Sequence, residues 1–188
     1  MSNQQSLSRR SFLGGATSAT LSAAAIGLLA GAPALIPRRA RGEAGEQDVR
    51  ILNTALGAEH EAVAAYQVGA ESGLLKKPAL DLAVQFQGQH KEHVDLLAAT
   101  VAKLGGAPVA PKESYAFPVE KLASQEDVLR FAAGLEKGAV SAYLGAVPIL
   151  GSGDLARAAA SILGDEAMHW AVLRYVLGEN PVPHAFVS

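Results

Sequence analysis

Glu166 and His169 stand three residues apart, and His90 and His93 share that interval, in a chain of 188 residues that contains no cysteine. Without thiolates there are no disulfides, iron–sulfur clusters or sulfur-bound metals, so a bound cation must sit on carboxylate oxygen and imidazole nitrogen. Two further glutamates open segments that repeat each other. Glu59-His60-Glu61-Ala62-Val63-Ala64-Ala65-Tyr66 aligns with Glu136-Lys137-Gly138-Ala139-Val140-Ser141-Ala142-Tyr143, keeping Glu, Ala-Val, Ala and Tyr in register. The interval from Glu59 to His93 is 34 residues and that from Glu136 to His169 is 33. Repetition of this kind predicts a pseudo-twofold site in which each half of the chain supplies matching ligands.

Such residues need rigid elements to bring them together, and the composition favours helices. Aromatic residues make up only 5% of the chain, while Ala and Leu, which lose little rotamer freedom in a helix, dominate. Four helical segments are predicted. The first runs from about Gln47 to Ser72 and stops at Gly73; the second has Pro78 in its first turn and stops at Gly105-Gly106. A connection from Ala107 to Ala123, with Pro108, Pro111 and Pro118, cannot be a long helix and forms a crossover. Ser124 with Asp127 resembles a capping box and starts the third segment, which runs to Leu150 with a disturbance at Pro148. After the tight turn Gly151-Ser152-Gly153, the fourth runs from about Asp154 to Leu177 and is closed by Gly178 and Pro181.

Each segment carries an apolar seam, and each seam is interrupted at its middle by Glu or His. Leu155, Ala159, Ile162, Glu166, His169, Leu173 and Val176 follow steps of three and four, as do Leu82, Phe86, His90, His93, Leu97 and Leu104. Leu52, Leu56, Glu59, Val63 and Tyr66 repeat the pattern in the first segment, and Leu129, Ala132, Glu136, Val140 and Tyr143 in the third. An unpaired carboxylate in an apolar core costs several kcal/mol, so it stays neutral, pairs or binds a cation. Three glutamates and three histidines converging from four helices would be balanced by divalent metal. Tyr66 and Tyr143, two turns beyond their glutamates, are placed to hydrogen-bond a ligand, relay an electron or simply pack. Trp170 is read as packing, and His60 and His184 as exposed residues without a role.

A Glu from each of two helices with Glu-x-x-His from each of the other two resembles the di-metal pattern of the ferritin-like superfamily. The resemblance covers about Gln47 to Leu177 and is nearest to exported bacterial ferritin-like domain proteins with a twin-arginine signal. It implies an all-α, ferritin-like four-helix bundle of two hairpins joined by a long crossover. Glu59 and Glu136 correspond to the single glutamate ligands, and Glu166 with His169 to one Glu-x-x-His. The other motif departs from the pattern: His90 stands where a glutamate is expected, leaving three carboxylates and three imidazoles, and Glu92 points away from the seam. The resemblance implies two metal ions, iron first and manganese or zinc as alternatives, with ferroxidase or oxidase activity in iron handling or oxidative-stress defence. The His-x-x-His half keeps open a different class: a non-catalytic bundle with a degenerate or structural metal site, acting as a structural or interaction protein.

Ser8-Arg9-Arg10-Ser11-Phe12-Leu13 precedes a weakly hydrophobic run from Gly14 to Ile36, followed by Arg38, Arg39 and Arg41. This resembles a twin-arginine export signal, with cleavage near Ala32-Pro33-Ala34 or Gly42-Glu43-Ala44; left uncleaved, the run is long enough to anchor the chain in a membrane. The expected partners are metal ions and the twin-arginine export machinery, the expected location is periplasmic or extracytoplasmic, and homo-oligomers remain open. A net charge of −2 provides no broad basic surface for nucleic acid. The expected organisation is 1–42 for the export signal and its flank, 45–180 for the bundle and 181–188 for a C-terminal tail.

Overall fold

The structure, a computed structural model, describes residues 38–187, and the side chains of residues 38–41, 43 and 44 are outside that description. The predicted export motif, the apolar run behind it and the Ala32-Pro33-Ala34 cleavage site therefore lie outside the described residues. Among the described residues no helix is long and apolar enough to cross a membrane.

Four long helices account for most of the described chain: α1 Arg38–Glu71, α2 Lys77–Lys103, α3 Gln125–Ala146 and α4 Gly153–Val176. Helix α1 begins nine residues before the expected Gln47, because residues 38–46 hold no proline and only two glycines, too little to break a helix. Pro78 lies in the first turn of α2, where its missing N–H costs nothing. At the other end Gly105 adopts φ +82°, and the Gly105 and Gly106 amides donate to Ala102 and Val101 carbonyls at 2.9 and 3.0 Å. Gly178 closes α4 in the same manner at φ +74°. These are left-handed C-terminal caps that a side chain would strain.

Ser124 caps α3 by accepting from the Asp127 amide at 3.2 Å, while Asp127 Oδ2 accepts from the Ser124 hydroxyl and the Ala123 amide at 2.7 and 3.1 Å. Pro148 does more than disturb α3: the α-helix stops at Ala146, short of the expected Leu150, and a single 3-10 turn covers Val147–Ile149. Ser152, read from the sequence only as part of a turn, caps α4 by accepting from the Leu155 amide.

Contacts between helices fix the topology. Glu59 meets His90 and Gln67 meets Gln87, so α1 and α2 run antiparallel. Tyr66 reaches Glu136 and Tyr143 reaches Glu59, so α1 and α3 also run antiparallel. Gln89 meets His169 while His93 meets Asp165, which sets α4 antiparallel to α2. Helices α2 and α3 are consequently parallel, and the chain between them must travel the length of the bundle. His60 corrects the sequence reading here. It is half-buried, and its Nε2 lies 3.2 Å from the Val109 carbonyl, helping Asn53 fasten the crossover to α1.

Two apolar clusters fill the interior. One gathers Leu52, Leu56, Leu97, Val101, Ala159 and Ile162; the other gathers Ala79, Ala83, Phe86, Leu129, Ala133 and Leu173. Burial of each large side chain contributes roughly 1.5–3 kcal/mol. Between the clusters lies a layer of glutamates and histidines drawn from all four helices.

Candidate metal centre

Each helix supplies the layer at the position where its seam changes character. Helix α1 contributes Glu59, α2 His90 and His93, α3 Glu136, and α4 Glu166 and His169. All six residues singled out from the sequence converge. Glu59, His90, Glu136, Glu166 and His169 are between 0% and 3% exposed, and the His93 side chain is 12% exposed.

Their ligand atoms form two overlapping groups, each within 4.8 Å: Glu59, His90, His93 and Glu166, and then His90, Glu136, Glu166 and His169. Glu166 and His90 belong to both. His93 Nδ1 lies 3.0 Å from Glu166 Oε1 and 3.4 Å from Glu59 Oε2. On the other side, His169 Nδ1 lies 3.5 Å from Glu136 Oε1 and 3.6 Å from Glu166 Oε2.

Proximity has not produced hydrogen bonds here. Both Glu166 oxygens, His93 Nδ1 and His169 Nδ1 are buried without a hydrogen-bond partner. Native interiors rarely leave four buried polar atoms so close together and unpaired. These atoms point toward shared space instead of along one another's hydrogen-bond directions, as donors arranged around a cation do. The residue types, carboxylate and imidazole without sulfur, suit iron, manganese or zinc.

A second ring of residues orients the first. Tyr143 donates to Glu59 Oε1 at 2.6 Å, and Tyr66 donates to Glu136 Oε1. His169 Nε2 lies 2.9 Å from the Gln89 amide oxygen, which can only accept, so this nitrogen donates and Nδ1 faces the layer. Asp165 Oδ2 lies 3.3 Å from Nε2 of both His93 and His169. Phe86 stacks on the His169 ring at 4.0 Å, holding its plane. Fixing the outer nitrogen and the ring plane is how such partners raise ligand basicity and set the tautomer.

Gln89 and Asp165 were missed in the sequence, yet the repeat holds their signal. They precede His90 and Glu166, respectively, and are separated by the 76 residues that also separate His93 from His169. Glu92 is exposed, in keeping with its reading as a poor ligand, and His184 is exposed at the tail. Trp170 packs beside the second apolar cluster with Lys137 and Arg174 over its ring at 5.9 and 5.6 Å.

In the metal-free protein the layer balances its own charge. Burial alone would depress His90, but its hydrogen bonds to Glu136 and Glu59 outweigh that and raise it to about 10. Burial likewise opposes, and the neighbouring carboxylates overcome it, at His93 and His169, each raised to about 9. Burial pushes the Glu59 and Glu136 carboxyls up, yet the imidazoles hold both below the ordinary carboxylate value. Burial and the adjacent carboxylates push the Tyr66 and Tyr143 hydroxyls up, so both remain protonated donors. A cation entering the layer takes the place of imidazolium protons.

The family described as ferritin-like domain matches residues 47–179 of the chain. No curated protein matches it. Among solved structures, a conserved hypothetical protein of Mycobacterium tuberculosis is 24% identical, covers 76% of this chain and 99% of its own, and superposes with a TM-score of 0.66. A structure described as ferritin-like, diiron-carboxylate proteins from Bacillus anthracis is 18% identical, covers 71% of this chain and 97% of its own, and gives a TM-score of 0.63. At these identities both establish the four-helix fold alone.

Proposed function

Because the chain belongs to the ferritin-like domain family, we propose that its central layer binds two divalent metal ions, iron foremost, and that the loaded protein acts as a ferroxidase or related oxidase. The observation that carries this reading is the set of unpaired atoms on Glu166, His93 and His169. One ion would be held by Glu59, His93 and Glu166, the other by Glu136, His169 and Glu166. A neutral imidazole offers one lone pair, so His90 can complete only one of the two sets. Iron bound in the layer would supply two electrons, one from each Fe(II), for the reduction of oxygen or peroxide. The protein's own residues prepare the site: Tyr66 and Tyr143 orient the single glutamates, Gln89 and Asp165 orient the histidines, and the two apolar clusters close the layer on either side along the bundle.

His90 favours a second reading. Its Nδ1 lies 2.8 Å from Glu59 and its Nε2 3.3 Å from Glu136. The ring thus ties two carboxylates together without metal, which suits a structural layer or a degenerate site. Elemental analysis of the purified protein, followed by metal removal, separates the readings. A ferroxidase loses Fe(II)-dependent oxygen consumption on metal removal and keeps its helices, whereas a structural site loses helicity. A preparation that takes up neither iron, manganese nor zinc sinks both metal readings.

In the same proposal the Arg9-Arg10 pair directs export of the folded chain by the twin-arginine route, and metal is inserted before export. An Arg9→Lys/Arg10→Lys variant should remain in the cytoplasmic fraction; unchanged export would remove this part of the reading.

A further inference from the structure

The surface between α1 and α3 folds inward into a cleft of about 500 Å³ that reaches the metal layer from the Glu59–Glu136 side. Its walls are small residues: Ala58 and Ala62 on α1, and Gly138, Ala139 and Ala142 on α3. Glu59, His90, Glu136 and Tyr143 form the inner end. The volume falls within the range of small-molecule sites, and the combination of apolar walls with a few convergent polar groups is what such sites share.

The glycines strengthen the case. Gly138 lines the cleft from the interior of α3, where glycine is about 1 kcal/mol less favourable than alanine, and Gly145 lines it from the last turn of the helix. A Cβ built at either position meets nothing within 4 Å. No neighbour in the described structure accounts for the missing side chains, and their absence widens the path to Glu136.

Charge restricts the occupant. Among the described residues, the acidic and basic side chains lining the cleft are Glu59, Glu61 and Glu136 with the His90 imidazole; no lysine or arginine is among them. Short of the centre itself, an anionic headgroup would find no lysine or arginine along the walls to hold it, and Glu61 would repel it. A cationic headgroup would find Glu59 and Glu136 already committed to the metal ions of the proposed centre, and would have to leave its hydration shell for walls of Ala, Gly, Leu and Ile.

We propose that this cleft receives a neutral, largely apolar organic molecule and presents it to the Glu59–Glu136 side of the centre. The inference rests on the metal-centre reading and adds the class of organic ligand. It concerns binding and specifies no reaction of the ligand.

The test uses full-length, metal-loaded protein and the uncharged fluorescent probe N-phenyl-1-naphthylamine, with metal content measured in every sample. The probe should brighten on binding, 1-decanol should displace it and decanoate should not. The double variant Ala62→Leu/Ala139→Leu should bind the probe about tenfold more weakly or worse, while metal uptake and helicity stay at parent levels. If that variant does not fold, Gly138→Leu, whose Cβ enters open space, serves in its place with the same expected loss.

Metal-loaded parent that fails to bind the probe overturns the proposal, as does equal displacement by decanoate or undiminished binding by a folded cleft-filling variant. A parent dimer that excludes the probe and is split by Gly138→Leu assigns the cleft to a second copy of the chain and also overturns it. Failure of metal uptake is a separate measurement and sinks the metal-centre reading itself.

Discussion

Tyr143 of α3 donates to Glu59 of α1 at 2.6 Å across 84 residues of sequence, and the equivalent tyrosine of the other repeat, Tyr66, donates to Glu136. Each half of the chain therefore orients the glutamate of the other. Neither hairpin alone contains a complete pair, so the layer is assembled only when both hairpins dock.

Replacing Tyr143 with Phe removes one donor and leaves Glu59 Oε1 buried and unpaired on that side. The cost of such an orphan is about 1–3 kcal/mol. Chemical denaturation of the metal-free Tyr143→Phe protein should show a loss of that size. Tyr66→Phe should cost a similar amount, since its geometry is reciprocal. A loss in only one of the two would contradict the symmetry.

Asp165 approaches the outer nitrogens of two histidines at once, each at 3.3 Å. Removing a partner of this kind lowers metal affinity by roughly 10–100-fold, because the ring loses its fixed tautomer and orientation. Asp165→Ala should show that loss in a competitive chelator titration, with helicity unchanged. Asp165→Asn, which retains an accepting oxygen, should recover part of it. A chelator curve identical to the parent's would assign Asp165 to the surface.

The Ser124 cap allows a prediction about pH. The Ser124 hydroxyl, followed by the Ala123 amide, holds the Asp127 carboxyl below its ordinary value of 3.8. A carboxyl depressed by folding adds stability above its unfolded pKa and gives it up as pH falls through the folded one. Ser124→Ala removes the cap, worth roughly 0.5–2 kcal/mol at neutral pH. The difference in melting temperature between parent and variant should shrink as pH drops below about 4. A difference that widens with acid would reverse the assigned sign.

Much of this arrangement is visible in the sequence because the 3.6-residue period leaves little freedom. Glu59, Glu136, Glu166 and His169 occupy seam positions, and a polar residue in a seam must face its counterparts. The three helix-ending glycines, Gly73, Gly105 and Gly178, all adopt positive φ, as their place in the pattern demands. Less legible were residues whose role depends on a partner in a distant helix. Gln89 and Asp165 lie on the shoulder of the seam, where either a solvated residue or an outer partner can stand, and only docking of α2 on α4 decides between them. His60 failed for the same reason: its contact is the Val109 carbonyl in the crossover, a segment with no periodicity from which to predict its path. The early start of α1 had no apolar signal at all, since residues 38–46 form a helix by default, with nothing to break it.

His90 carries the strongest prediction, because two consequences of one substitution have opposite signs. It belongs to both ligand groups, yet as a neutral imidazole it can donate to one ion only. A carboxylate in its place has two oxygens and could serve both. His90→Glu would also restore the Glu-x-x-His spacing to α2, matching Glu166-x-x-His169. In metal-loaded protein, the second of the two ions should be held more tightly than in the parent. In metal-free protein the same change leaves four buried carboxylates facing two imidazoles. An uncompensated buried carboxylate costs several kcal/mol, so the metal-free variant should melt well below the metal-free parent. Isothermal titration and paired melting curves, with and without Fe(II), read both effects. If His90→Glu destabilises both forms equally, position 90 does not face the cations, and the layer is held together by its imidazolium–carboxylate pairs alone.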